Sequence, residues 1–216
     1  MDDPQLRKLR RVRKQILDCE KCALSRSCTQ PVPVDVNPEL DFGLVIVGEA
    51  PGREEDEAGI PFVGRSGKLL DDVLLDVGTD RQHTAVMNVV ACRPPKNRDP
   101  KRAEIDACSG HFSRQLRSLQ GTVGVLLGNA ALRALRGPDV YITSERGNAF
   151  WALGMVWMPT FHPAYILRDM RKRTYLVDDI GMALRMSMGK TPLPDVAYDD
   201  AVALLGQELG AEVVSY

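Results

Sequence analysis

Four of the five cysteines are spaced as metal ligands often are. Cys19 and Cys22 form a C-x2-C pair, and Cys92 and Cys108 follow later in the chain. Four thiolates are enough for a closed zinc site or for an iron–sulfur cluster, and spacing alone does not separate the two. The alternative without a metal is that Cys92 and Cys108 are simply buried residues and that the spacing of Cys19 and Cys22 is accidental. The fifth, Cys28, is interpreted as a spare thiol, although it could substitute as a ligand.

An acidic loop follows the first apolar run of the chain. After residues 43–48, a buried-strand pattern, come Glu49, Glu54, Glu55 and Asp56 among Ala, Pro and Gly. Carboxylates at the end of a strand can act as a base or bind a metal that serves phosphoryl transfer. Acidic loops are also commonly no more than solvated surface, so this loop alone is a weak indication.

Residues 59–68 form a glycine-rich loop that nearly matches a phosphate-binding P-loop. Arg65 stands where that motif needs a lysine, and no strand leads directly into Gly59. The backbone amides that open the following helix could still bind a phosphate. Phe62 in this loop could stack on a nucleic-acid base, and a core position is the equal alternative.

Two polar residues stand within or directly after predicted strands. Asn88 interrupts an apolar strand, where an unpaired amide costs about 1–3 kcal/mol, and its amide could read one edge of a base. A structural hydrogen bond is the alternative. His162 follows another strand, and a neutral imidazole there could donate to a developing anion. His83 and His111 have unremarkable loop and helix positions.

The charge is locally uneven although the formal net charge is only −1. Basic residues concentrate at residues 7–14, 93–102 and 168–173, and acidic residues concentrate after residue 190. The basic stretches could form one patch for phosphates, or each could be a solvated helix face. The chain has no secretory signal pattern and no apolar run long enough for a bilayer, which favours a cytoplasmic location.

The order of elements predicts an α/β fold. Strand patterns at residues 43–48, 85–90, 123–127 and 156–159 alternate with helical patterns, including a long helix over residues 164–188. We expect a three-layer αβα sandwich with a central four-stranded parallel sheet. Residues 1–190 would form the domain, and residues 191–216 an acidic C-terminal extension with a helix at 201–209. In such folds the loops after the strands meet at the carboxyl edge of the sheet.

Together these motifs resemble the family-four uracil-DNA glycosylases, a thermostable bacterial and archaeal type that carries a [4Fe–4S] cluster. The resemblance covers residues 19–168 in order and at matching spacings. It is carried by Gly48-Glu49-Ala50-Pro51-Gly52, Glu55-Asp56, Gly59-x-Pro61-Phe62-Val63-Gly64-x-x-Gly67-x-Leu69-Leu70, Asn88-x3-Cys92-Arg93-Pro94-Pro95-x-Asn97-Arg98 and His162-Pro163-Ala164-Tyr165.

The resemblance implies a role for each matching residue. The cluster ligands would be Cys19, Cys22, Cys92 and Cys108. Glu55 and His162 would be catalytic, Glu55 by positioning water or steadying the sugar cation and His162 by donating to uracil O2. The uracil-binding residues would be Glu49, Ala50, Pro51, Phe62, Asn88 and His162. The residues that contact DNA would be Arg65, Ser66, Lys96, Asn97, Arg98, Pro163, Ala164, Tyr165 and Arg168.

The implied function is DNA repair by base excision. A monomeric, monofunctional hydrolase would flip uracil out of DNA and hydrolyse its N-glycosidic bond, leaving an abasic site, with DNA and no membrane as its partner. A related group of glycosylases forms a covalent adduct with abasic DNA by using an inserted basic loop. That insertion is missing after Cys92 here, so we expect ordinary turnover. Two alternatives stay open, a glycosylase for another modified or deaminated base and a non-catalytic iron–sulfur DNA-binding module.

Overall fold

The computed structural model describes residues 4–37, 41, 43–119 and 123–194. Within these ranges five strands form one sheet. They are β1 (Leu44–Gly48), β2 (Thr84–Asn88), β3 (Val123–Leu127), β4 (Phe150–Ala152) and β5 (Met155–Thr160). The α-helices of the same ranges are α1 (Pro4–Leu17), α2 (Arg53–Ala58), α3 (Arg65–Val77), α4 (Arg102–Leu119), α5 (Gly128–Arg136), α6 (Ile142–Glu145), α7 (Pro163–Ile166) and α8 (Arg173–Ser187). No helix of the described segments has the length and apolar character needed to cross a bilayer.

The strand order is β2-β1-β3-β5-β4, in which the first four strands are parallel. The α/β prediction is confirmed, but the expected count of four strands is wrong. The fifth strand, β4, pairs antiparallel with β5 through a tight turn. Leu153 and Gly154 form that turn at positive φ values of 52° and 74°. A strand of three residues is too short for its alternation to stand out in the sequence.

Helices cover both faces of the sheet, as the layer prediction requires. The crossover from β1 to β2 and the crossover from β2 to β3 run in opposite directions across the sheet. Because parallel crossovers are right-handed, α3 and α4 lie on opposite faces. The contacts agree, since α8 packs against α3 and against β1, β3 and β5, whereas α1 packs against α4.

Two predicted boundaries are wrong. The long helix expected over residues 164–188 is interrupted between α7 and α8, because Asp169 has a non-helical backbone (φ −151°, ψ 86°). Its carboxylate instead accepts a hydrogen bond from Arg171 Nε at 2.8 Å. The acidic loop is also partly helical, since α2 begins directly after Gly52 and ends before Gly59, which has φ 71°.

The last residues that the structure describes pack against the edge of the sheet. The indole Nε1 of Trp151 donates to the carbonyl oxygen of Pro194 at 2.9 Å, so the last described residues pack against β4. The predicted acidic extension beyond Pro194, with its helix at 201–209, lies outside the described residues.

Candidate active site

A cleft of about 630 Å³ opens at the carboxyl edge of the sheet, within the roughly 300–1,000 Å³ typical of ligand sites. Its walls come from the loops after β1, β2, β3 and β5, as expected for a parallel sheet. All the residues predicted to contact the base line it, namely Glu49, Ala50, Pro51, Phe62, Asn88 and His162. Glu55, the other residue predicted to be catalytic, lines it too.

Phe62 is held in a strained conformation at the base of the cleft. Its φ is 55°, a left-handed value that is rare for a bulky side chain, and it is only 5% exposed. The guanidinium of Arg81 donates to the carbonyl oxygens of both Pro61 and Phe62. A Cβ at Gly67 would lie 1.7 Å from the Phe62 carbonyl oxygen, so only glycine fits there. The loop is therefore fixed by its surroundings rather than by its own preference.

Glycine at position 48 lets two site residues meet. A Cβ there would lie 2.4 Å from the Phe62 ring and 2.5 Å from Asn88 Oδ1. Phe62 also faces His162, with the two ring centroids 5.6 Å apart and the ring planes inclined by 32°. The end of β1 thus brings Phe62, Asn88 and His162 to one place.

The Glu55 carboxylate acts as a clamp, because it holds two backbone segments together through hydrogen bonds. One oxygen accepts from the Gly52 amide at 3.0 Å, and the other accepts from the amides of Val63 and Gly64 at 3.1 and 2.9 Å. These bonds join the start of α2 to the loop that carries Phe62. Three backbone donors fix the position of this carboxylate in the cleft.

Asn88 ends β2 and is 4% exposed. Its Oδ1 has no hydrogen-bond partner among the described residues. A buried amide oxygen without a partner costs free energy, so its presence beside the cleft indicates a site for a ligand donor.

His162 has one tautomer fixed by the backbone. Its Nδ1 accepts a hydrogen bond from the Ala164 amide at 3.1 Å, so the proton of the neutral ring resides on Nε2. Burial lowers the pKa of His162 to about 4, although the nearby Glu55 carboxylate opposes that shift. At neutral pH the ring is therefore uncharged and acts as an Nε2–H donor at the cleft.

The carboxyl group of Glu49 lines the same cleft and has a shifted pKa. Burial raises the pKa of its carboxyl from 4.5 to about 7, and the nearby Asp99 carboxylate raises it further in the same direction. Asp99 lines the cleft as well. Both effects penalise the charged form of Glu49.

The residues predicted to contact DNA divide into three groups. Those that line the cleft are Ser66, Asn97, Arg98, Ala164, Tyr165 and Arg168. Arg65 is exposed and lines an adjoining groove that shares Ser66 and Asn97 with the cleft. Lys96 is exposed and Pro163 is buried, and neither of these two lines the cleft or that groove.

Arg98 is already paired within the protein. Its guanidinium forms a two-point interaction with the buried Glu104 carboxylate, at 2.8 and 2.6 Å. The side chain is 34% exposed, so part of it still faces solvent. This pairing fixes the loop after β2 to the start of α4.

The cysteines predicted to be ligands surround a second cavity. Cys19, Cys22, Cys92 and Cys108 all line it, between the N-terminal loop, the end of β2 and α4. Burial raises the pKa of Cys92 and that of Cys108, the latter to about 11, and neighbouring cysteines add to both shifts. Thiolates there need a positively charged partner. Within the part of the chain that the structure describes, no three Cys, His, Asp or Glu side chains are arranged around a single metal ion.

Cys28 lies outside the cavity lining but contacts the Cys92 thiol. Its segment is tied to α2 by Asp56, whose carboxylate accepts from the Thr29 amide and hydroxyl, each at 2.8 Å. Asp56 is therefore a structural residue, and the acidic loop supplies no metal site among the described residues.

Several residues that line or support the cleft were not predicted from the sequence. Arg81 carries no motif, since it precedes β2 and reaches the Phe62 loop only in the folded chain. The residues that line the cleft itself and had no predicted role are Gly52, Pro94, Asp99, Leu127, Gly128, Asn129, Ile142, Thr143 and Phe161. Gly128 could have been recognised as a glycine at a strand end, and it has φ 83°.

Comparisons with known proteins agree with this geometry. Residues 34–180 match the model of the uracil DNA glycosylase superfamily. The chain is 40% identical to the type-4 uracil-DNA glycosylase of Thermotoga maritima over 80% of this chain and 91% of that protein. It is 35% identical to that of Sulfurisphaera tokodaii, over 79% and 81% of the two chains. The Archaeoglobus fulgidus enzyme is 36% identical, over 71% and 80%.

Proposed function

The chain belongs to the type-4 uracil-DNA glycosylases of the uracil DNA glycosylase superfamily, and from this premise we propose how its cleft works. It hydrolyses the bond between uracil and deoxyribose in DNA, releasing the base and leaving an abasic site. The observation that carries the proposal is that one cleft holds an Nε2–H donor at His162 and an Asn88 Oδ1 that has no partner among the described residues.

Uracil enters the cleft by leaving the base stack. The reacting sugar carbon is inaccessible in a stacked duplex, so extrusion is needed and costs a few kcal/mol. Phe62 offers a fixed ring on which the flipped base can stack, held by Arg81 and by the Glu55 clamp. A preformed ring lowers the entropy lost on binding.

Asn88 reads the edge of the base. Its amide offers an acceptor for uracil N3–H and a donor for O4. Cytosine inverts both groups, so it would leave buried polar atoms unpaired and be rejected. The lack of a partner for Oδ1 among the described residues supports this role.

His162 stabilises the leaving group. Uracil departs as an anion with charge on O2, and a neutral Nε2–H donor lowers that barrier without itself transferring a proton. A preorganised donor of this kind is worth about 3–4 kcal/mol. The Ala164 amide supports the role because it keeps Nδ1 unprotonated.

Two carboxyl groups complete the reacting end of the cleft. Glu55 is the residue we assign to orienting water and steadying the cationic sugar, from a position set by three backbone amides. Glu49 forms the wall near the 5-position of the base, with Ala50 and Pro51 beside it, and excludes the methyl group of thymine.

DNA contacts extend from the rim of the cleft. Arg65 and Ser66 open α3, and the backbone amides of a first helical turn can bind a phosphate. Lys96, Asn97 and Arg98 lie on the loop after β2, and Pro163, Ala164, Tyr165 and Arg168 form or follow α7, the segment that wedges into the duplex. Arg98 serves mainly through the loop that it fixes to Glu104.

We assign a [4Fe–4S] cluster to the second cavity. The support for this assignment is that four cysteines line the cavity, and four cysteine thiolates are the usual ligand set of such a cluster. When bound, the cluster supplies a cross-link that ties the N-terminal loop to β2 and α4 and offsets the burial of the thiolates. The proposal includes a monomeric enzyme located in the cytoplasm, an N-terminal domain of residues 1–190 and an acidic extension of residues 191–216.

The test is cleavage of a labelled oligonucleotide that contains one uracil, in EDTA and followed by alkali. Alkali-dependent cleavage at uracil, absent from a matched thymine control, supports a monofunctional glycosylase that needs no exchangeable metal. Cleavage without alkali would contradict monofunctional chemistry. If protein with a full complement of iron leaves uracil intact, the proposed substrate is wrong, and oligonucleotides with other deaminated bases are the next comparison.

A further inference from the structure

His111 is a buried polar residue at the cysteine cavity that the proposed chemistry does not use. It lies on α4, three residues after Cys108, and is 4% exposed. It lines the cavity together with the four cysteines. Its Nε2 is buried and has no hydrogen-bond partner among the described residues.

Arg114 determines which ring nitrogen of His111 carries the proton. The guanidinium Nη2 of Arg114 lies 2.9 Å from His111 Nδ1. A guanidinium can only donate, so Nδ1 must be the acceptor and the neutral ring carries its proton on Nε2. Among the described residues Nε2 is therefore a buried hydrogen-bond donor without an acceptor, a state that costs about 1–3 kcal/mol.

Two other polar side chains that line this cavity already have partners. The Glu104 carboxylate accepts from Arg98 and from the Lys101 amide, and the Ser25 hydroxyl donates to the Cys22 carbonyl. The cysteine sulfurs that line the cavity, and the group that they bind, are the acceptors available to His111. The sulfurs of an iron–sulfur cluster carry negative charge and accept hydrogen bonds.

We propose that His111 Nε2–H donates a hydrogen bond to a sulfur of the cluster, either cysteinate or sulfide, with Arg114 as the residue that orients it. This inference rests on the cofactor assigned under the proposed function. Hydrogen bonds to cluster sulfurs stabilise the more negatively charged, reduced state, so His111 raises the reduction potential. It also protects the cluster from oxidation.

The test compares wild type with His111→Phe, which fills the space without a donor, and with His111→Gln, which keeps an N–H. Iron and sulfide are measured first, and the midpoint potential is then measured by redox titration followed by electron paramagnetic resonance. We expect a more negative potential and faster oxidative bleaching in His111→Phe, with recovery towards the wild-type potential in His111→Gln. The control is Ser113→Ala, a buried residue of the same helix that does not line the cavity, and it should leave the potential unchanged.

A second measurement uses the unmodified chain, in case His111→Phe fails to fold. Protein labelled with 15N-histidine should show coupling of one histidine nitrogen to the reduced cluster, together with an exchangeable proton that disappears in D2O. A fully loaded cluster without that coupling, or with the same potential in His111→Phe, would overturn the role of His111 alone. Protein purified anaerobically without iron would instead overturn the proposed cofactor and this inference with it.

Discussion

The backbone amide of Ala164 donates to Nδ1 of His162 at 3.1 Å, which leaves Nε2 as the proton-bearing nitrogen at the cleft. From this bond we predict how His162→Ala changes turnover and DNA affinity. Turnover of uracil-containing DNA should fall by about 10²–10³-fold, the usual cost of losing one oxyanion donor. Affinity for DNA should change little, because most DNA contacts go to phosphates. Single-turnover rates and binding isotherms at one salt concentration measure the two effects, and unchanged turnover would remove His162 from the reaction.

Substitution of Asn88 by aspartate should change base preference. The carboxylate lacks the amide donor to O4, so Asn88→Asp should lose activity on uracil and gain on cytosine. The ratio of kcat/KM values for the two bases is the measurement. The control is Asn97→Asp, which makes the same amide-to-carboxylate change at the rim of the cleft and should preserve the ratio of kcat/KM values. A variant Asn88→Asp that still selects uracil would contradict edge reading.

Arg81 is expected to position Phe62 without touching the base. Its guanidinium donates to the Phe62 carbonyl oxygen at 3.1 Å and forms an ion pair with Asp71 at 3.2 Å. Arg81→Met should weaken inhibition by free uracil and reduce turnover by about 5–30-fold, equivalent to 1–2 kcal/mol of lost preorganisation. Arg173→Met, which removes an ion pair with Asp76 on another face of α3, should alter neither. Equal effects of the two variants would indicate general destabilisation.

Glu49 should make the protein less stable as the pH rises. Its pKa is about 7 in the folded protein, above the ordinary value of 4.5, so the folded state retains a proton that the unfolded state releases. The cost is absent below pH 4.5 and grows to at most about 3 kcal/mol above pH 7.

Glu49→Gln removes this cost, and its thermal midpoint should exceed that of wild type by up to about 5–10 °C at pH 8. The difference should shrink towards pH 5. Glu54→Gln, an exposed change in the same segment, provides the control. A difference between wild type and Glu49→Gln that is constant across this pH range would rule out titration of Glu49 as its cause.

We expect four of the five cysteines to bind the cluster and Cys28 not to bind it. Cys92→Ser should give colourless protein of low iron content and lower thermal midpoint, because one of four ligands is lost. Cys28→Ser is a matched control, since Cys28 contacts the Cys92 thiol but does not line the cavity, and this variant should remain brown. Iron content per chain is the measurement. Iron lost only from Cys28→Ser would exchange the assignments of the two residues.

Strand patterns determined much of the fold in advance. Residues 43–48, 123–127 and 156–159 were recognisable because strands buried on both faces form continuous apolar runs. Parallel crossovers then require the loops after those strands to meet at one edge, so the co-location of the loops that begin at Glu49, Cys92 and His162 followed from element order. The strand β4 was missed because three residues give no detectable alternation, and the break at Asp169 was missed because it depends on side-chain pairing.

The sequence by itself determined which residue types stand at the ends of which strands, because periodicity and motif order are local properties of the chain. Only the tertiary structure decided what each side chain does there. Glu55 became a clamp, Arg81 a support for Phe62, and the proton of His111 a buried donor, since each depends on partners that are brought close by folding. Protonation states also belong to this second group, because burial and neighbouring charge set the pKa of Glu49 and of His162, and neither quantity exists in an extended chain.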